Sequence, residues 1–147
     1  MSDEVAVTIR RESRYKFSID FGADFPELMA DEPQPLGEGK GPSPTHLLAA
    51  AVANCLSASF VFACNKYKED PGEITAVAVC NVDRNEKNRL RVTGINVRIT
   101  LGTVTENLGH LERVMAQFED FCTVSQSVRA GIPFAVKIVA PDGTVLK

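Results

Sequence analysis

The sequence predicts an α+β domain in which antiparallel strands surround one long, buried helix, with a second copy of the chain completing the cover. Three observations carry this expectation. The stretch from Leu47 to Cys64 holds no charged side chain, and its strongly polar residues are Asn54, Ser57 and Ser59. A helix that is apolar nearly all round needs burial on nearly all sides. The segments before and after it alternate apolar and polar residues with period two, in pairs joined by short polar links, which is the pattern of antiparallel hairpins. The apolar surface of the helix also exceeds what one thin layer of strands can cover, and a homodimer is the economical solution.

Taken in order, Val5, Val7 and Ile9 alternate with Ala6, Thr8 and Arg10, and Tyr15, Phe17, Ile19 and Phe21 alternate with Lys16, Ser18 and Asp20. These runs read as two strands, each with one buried face, joined by the link Arg11-Glu12-Ser13-Arg14. Residues 22–42 are rich in Pro and Gly and read as a loop, with Glu27-Leu28-Met29-Ala30 as a third short strand inside it. Glu32 and Glu38 lie in this loop, and long loops within compact domains are often functional. Ser43 suits the N-cap and Pro44 the first helical position, so the central helix should run from about Pro44 to about Lys68, before Pro71-Gly72. Two long strands follow, Glu73 to Asp83 and Leu90 to Leu101, with a polar hairpin link between them. From Thr105 the period turns helical, with Leu108, Leu111, Met115 and Phe118 as the apolar stripe. A second short helix stops at Gly131-Ile132-Pro133, and Phe134 to Val139 with Thr144 to Leu146 form a closing hairpin around Pro141-Asp142-Gly143.

With 147 residues the chain reads as one domain spanning residues 1–147, long enough to bury roughly 68–70% of the surface exposed when unfolded. The formal net charge of −3 and the lack of a basic run argue against nucleic-acid binding, which needs clustered cations. The start Met1-Ser2-Asp3-Glu4 lacks the basic and apolar regions of a signal peptide, so cytoplasmic residence is expected. The central helix approaches the length of a membrane span but carries polar residues in its middle, and reads as a core helix rather than a membrane segment.

The four cysteines are Cys55, Cys64, Cys80 and Cys122, and no pair has zinc-site spacing, nor do His46 and His110 sit near a cysteine cluster. No metal or other cofactor is expected. Cys55 and Cys64 lie on one helix, on opposite faces and ~13 Å apart along its axis, so they cannot pair with each other. Cys80 belongs to a strand and packs as a small apolar side chain. Cys122 sits at a junction between helices, where the free N–H groups of the following helix favour a thiolate. Cys55 in the core helix, Cys122 at a helix start and the hairpin arginines together form a plausible thiol redox site; core packing alone is the other reading of the same cysteines.

The segment Pro44-x-x-Leu47-Leu48-Ala49-Ala50-Ala51-x-Ala53-x-Cys55 resembles the first cysteine motif of the family of osmotically induced protein C (OsmC) and organic hydroperoxide resistance protein (Ohr). Cys122-Thr123-Val124-Ser125, followed by Gly131-Ile132-Pro133, resembles its second, and the order of elements derived above matches over most of the chain. The resemblance implies an intertwined α+β homodimer of the OsmC-like type with active sites near the subunit interface, acting as a cysteine-based peroxidase. By position, Cys55 would be the peroxidatic thiolate and Cys122 the resolving thiol that condenses with it to a disulfide. A hydroperoxide would be the substrate, and a dithiol, lipoyl-linked in the better-known branch, the reductant. An arginine of the first hairpin lowers the thiolate pKa in the family, and Arg11 and Arg14 both fit that position.

Two departures mark an outlying branch. The family's organic-hydroperoxide branch places a glutamate after the motif proline to hold the arginine, where this chain has Thr45. Arginine positioning must then use another group, such as Glu38 or Glu32. The second motif commonly continues with proline, where this chain has Thr123. An alternative reading follows from these departures: a non-catalytic dimer that binds a small apolar ligand or a thiol carrier in the same pocket.

Overall fold

The computed structural model describes residues 2–147; Met1, at the head of the acidic start, lies outside the described residues. The first hairpin pairs β1 (Thr8–Ser13) with β2 (Lys16–Asp20), and β3 (Leu28–Ala30) joins the other edge of β2, all antiparallel. Ile9 lies opposite Ile19 and Arg11 opposite Phe17, with an irregularity between Arg11 and Ser13. The link is tighter than the alternation predicts. Arg14 adopts φ 46, so the chain reverses at Arg14–Tyr15 and Arg11 becomes part of β1. At the other end, Gly22 at φ 79 turns the chain away just past Asp20, leaving Val5 and Val7 without a partner strand. β1 is exposed along its whole length rather than buried on one face, because none of the described residues covers this edge strand.

The helix α1 (Pro44–Asn65) starts where its cap residues predict. The Ser43 hydroxyl accepts the His46 backbone N–H, while His46 Nδ1 accepts the Ser43 N–H at 3.2 Å, a capping box with histidine in the place usually held by an acid or amide. The helix stops at Asn65, short of Lys68. There the Glu69 N–H reaches the Cys64 carbonyl (3.1 Å) and the Lys68 N–H the Asn65 carbonyl (3.0 Å), with Lys68 at φ 57. This is the Schellman pattern, which satisfies the last carbonyls by turning the chain out of the helix.

Strands β4 (Thr75–Arg84) and β5 (Leu90–Thr100) form a long hairpin with Thr75 opposite Thr100 and Ala78 opposite Val97. Its half-buried face presents Ala76, Ala78 and Cys80 from β4 and Ile95, Val97 and Ile99 from β5, and both strands pack on α1. Small residues on β4 let the helix lie close to the sheet. The helical region is broken into a 3₁₀ turn (Thr105–Asn107), α2 (Leu111–Gln117), a second 3₁₀ turn (Phe118–Phe121) and α3 (Thr123–Ala130). Because Leu108 precedes α2, the helical phase restarts at Leu111. Val114, fully buried, then takes the core position, and Met115, which periodicity assigned to the stripe, is 57% exposed. Val114 joins Phe60, Ala63 and Cys64 in the core, with Tyr67, Leu101, Leu111 and Phe118 around them.

Within the chain α1 is covered on one side only. Val52, Ala53, Ser59, Phe60, Ala63 and Cys64 are buried, whereas Ala50, Ala51, Asn54, Ala58 and Phe62 form an exposed stripe. The expectation of burial on nearly all sides is not met by a single copy, since the β1–β3 sheet leans on the first turns of the helix rather than along it. By length and apolarity alone α1 is able to cross a membrane; here it is packed against β4, β5, α2 and α3. The closing hairpin forms around Pro141-Asp142-Gly143, with the Val139–Val145 bridge and backbone bonds from Ala140 to Thr144 (2.8 Å) and from Leu146 to Ile138 (2.8 Å), while among the described residues no strand pairs with the exposed Phe134 and Val136.

Candidate active site

Local geometry at the start of α3 creates the site. Cys122 is the N-cap of α3, with extended backbone, and its Sγ accepts the Ser125 N–H at 3.3 Å. Sulfur thus occupies the place a serine or aspartate oxygen usually takes, beside N–H groups with no helical partner. The Phe60–Phe118 edge-to-face pair, centroids 5.3 Å apart, fixes the turn that leads into Cys122 against α1. On α1, which packs against α3, Cys55 and Ser59 lie one turn apart, and both side chains influence the Cys122 thiol. All four cysteines are free thiols.

The electrostatics single out Cys122. Burial, the strongest single influence, pushes its thiol up; the Ser125 hydroxyl and backbone N–H, the Cys55 thiol and the Ser59 hydroxyl together outweigh this and hold it below the ordinary cysteine value. Cys64 is the contrast. It is equally inaccessible, but burial and then the charges of Glu69 and Asp70 push its thiol up, which leaves it a protonated core residue. Cys80 aims its thiol at the Thr45 carbonyl, 3.9 Å away, and is wedged between β4 and α1 as a packing residue.

The structure brings Cys55 and Cys122 together and leaves the arginines on the β1–β3 sheet. Arg11 Nε donates to the Arg14 carbonyl (2.8 Å), and the Arg14 guanidinium donates to the Leu36 carbonyl (3.2 Å). Glu38 pairs with Lys16 at 3.9 Å, so among the described residues neither arginine has an acidic partner. What holds the loop on which Arg14 docks is Asp31, 2% exposed, whose carboxylate accepts the N–H groups of Glu32 (2.8 Å), Glu38 (3.1 Å) and Lys40 (3.0 Å). The Lys40 backbone N–H most of all keeps Asp31 below the usual carboxylate range, against the opposing effect of its burial. A cavity of about 270 Å³ separates β1 and β2 from Pro44 and Leu47. Leu47 lies roughly 12 Å along the helix from Cys55, at 1.5 Å per residue.

An open cleft of about 820 Å³ lies between α1, β5 and α3; neither Cys55 nor Cys122 lines it, and Ser125 is the site residue that does. Leu48, Val52 and Leu56 form one wall and Val97 and Ile99 the other, with Ser125 at the Cys122 end. Its polar rim includes the exposed Arg129–Glu119 pair (3.4 Å). Ser59 and Ser125 are the site residues that sequence reasoning missed. Their spacing was readable: Ser59 follows Cys55 by four residues, and Ser125 follows Cys122 by three, the N-cap to N3 relation.

Comparison with known proteins gives a consistent picture. The family model described as OsmC-like protein matches residues 37–137, more than half of the chain and both cysteine motifs. Among solved structures, an OsmC-like protein from Mycoplasma pneumoniae superimposes with TM-score 0.71 at 12% identity, covering 90% of this chain and 91% of that one. The organic hydroperoxide resistance protein OhrB of Bacillus subtilis gives TM-score 0.65 at 16% identity, covering 88% and 93%. An organic hydroperoxide resistance protein from Elizabethkingia anophelis gives 0.63 at 17%, covering 89% and 93%. No curated protein matches the sequence.

Proposed function

The chain belongs to the OsmC-like protein family, and from that premise we propose that it is a thiol-dependent peroxidase that reduces organic hydroperoxides. The observation that carries this reading is the meeting of Cys55 and Cys122, distant in sequence, in one enclosed group with donors around the second sulfur. Cys55, half-buried between Val52 and Leu56 in the sequence of α1, attacks the distal oxygen of the hydroperoxide. The O–O bond breaks, the alcohol leaves, and Cys55 becomes a sulfenic acid; Cys122 then condenses with it to a disulfide. A dithiol restores the pair. The apolar walls of the cleft favour a substrate with an alkyl body over hydrogen peroxide.

In this reading the working unit is a homodimer in the cytoplasm, with no nucleic-acid or membrane partner. The exposed stripe on α1 and the unpaired edges of β1 and of residues 134–136 supply surfaces for a second copy. Arg11 or Arg14 then reaches the Cys55 of the other copy, since within one chain their guanidinium groups bond the Arg14 and Leu36 carbonyls instead. Leu36 and the Asp31 loop take the positioning role that glutamate has in the organic-hydroperoxide branch, and Thr45 leaves room for that change. The size and apolarity of the cleft favour one second reading, a binding module for an apolar ligand.

The test is free-thiol count and peptide mapping before and after one equivalent of cumene hydroperoxide. The expected result is a fall from four free thiols to two, with a Cys55–Cys122 link. Unchanged thiols would refute the enzyme and favour the binding module. Cys55→Ser should abolish turnover with dithiol reductants.

A further inference from the structure

Two hydroxyl groups close the cage around Cys122. Ser125 is 8% exposed, and its Oγ is enclosed with no hydrogen-bond partner among the described residues. A buried hydroxyl left unpaired costs free energy, so one retained beside a sulfur that attracts donors points to a role there. Ser59 is 5% exposed, lies one turn beyond Cys55 on α1, and helps draw the Cys122 thiol down. Cys122 itself is inaccessible to solvent. Water therefore cannot solvate the charge on this sulfur, and the two serines with the Ser125 N–H stand in for it.

We propose that Ser59 and Ser125 are positioning residues for the disulfide-forming half of the reaction, orienting the Cys122 sulfur toward Cys55. This rests on the peroxidase reading above. In the step they serve, a lone pair of the Cys122 thiolate attacks the Cys55 sulfenic sulfur and an S–S bond forms as the S–O bond breaks. The departing hydroxide takes a proton from solvent and leaves as water. The Cys122 sulfur is oxidised and the Cys55 sulfur reduced, so no further oxidant is needed. Fast condensation also protects Cys55 from a second peroxide, which would carry it irreversibly to the sulfinic acid.

The pH profile separates positioning from packing. Loss of a donor leaves less thiolate at neutral pH but makes the remaining thiolate a stronger nucleophile. Condensation is followed after one equivalent of cumene hydroperoxide by quenching with dimedone and weighing the dimedone adduct against the disulfide, from about pH 6 to about pH 9, a range that spans the usual thiol titration. Ser125→Ala and Ser59→Ala are each expected to slow condensation roughly three- to tenfold near the acid end, tenfold corresponding to one pKa unit of lost thiolate. At the alkaline end they should equal or exceed the wild type, with Ser125→Thr restoring the original profile. Slowing by the same factor at every pH, or no change in either variant, would overturn the proposal while leaving the peroxidase intact. Wild-type protein that loses no thiol to the hydroperoxide would overturn both.

Discussion

Replacing Val114 by alanine tests the packing that supports the site. Val114 is fully buried where α2 meets Phe60, Ala63 and Cys64 of α1, and Phe118 of the same cluster leads the chain toward Cys122. Two methyl groups are lost. Transfer is worth about 0.8 kcal/mol for each, and about 40–50 Å³ of vacated space at about 24 cal/mol per Å³ adds about 1 kcal/mol, for a total near 2.5 kcal/mol. The surrounding side chains are themselves packed, so the void should collapse little. With a urea slope of about 1.5 kcal/mol per molar, the midpoint falls by roughly 1.5 M at unchanged slope. Protein concentration must be held fixed, because any dimer contributes by mass action. Met115→Ala is the control, since that side chain is 57% exposed, and should change stability by no more than about 0.5 kcal/mol. A loss below about 1 kcal/mol at Val114, or an equal loss at Met115, would refute the phase assigned to α2.

Other expectations follow from local geometry. His46→Ala should cost about 0.5–1 kcal/mol by opening the capping box, while His46→Gln, whose amide can still accept the Ser43 N–H, should cost little in thermal unfolding. Lys68→Gly should stabilise by up to about 1 kcal/mol, because φ 57 strains any residue with a Cβ; destabilisation would speak against the Schellman end. A Cβ at Gly41 would collide with the Met29 carbonyl, so Gly41→Ala should lose about 1–3 kcal/mol in the same assay. Thiolate absorbance should show a group titrating below the ordinary cysteine range, absent in Cys122→Ser. Since its native value lies below that of the unfolded chain, the stability it contributes is present above the ordinary thiol range and fades as pH falls through the native value.

The chain by itself determined its local elements and its two cysteine motifs. Ser43 and Pro44 fix where α1 begins, because capping depends on neighbouring residues alone, and period-two alternation marks β2, β4 and β5 for the same reason. The hairpin turn at Arg14 and the end of α1 at Asn65 escaped, since each rests on a non-glycine residue in the left-handed region that propensity disfavours. Met115 stood in for Val114 because periodicity carries no knowledge of a broken phase. Only tertiary packing set Cys122 against Cys55, Ser59 and Ser125, since a thiol acquires its charge from donors that sequence distance conceals. It also left one flank of α1 bare, because the strands that alternate so regularly near the N-terminus fold onto the start of the helix and not along it.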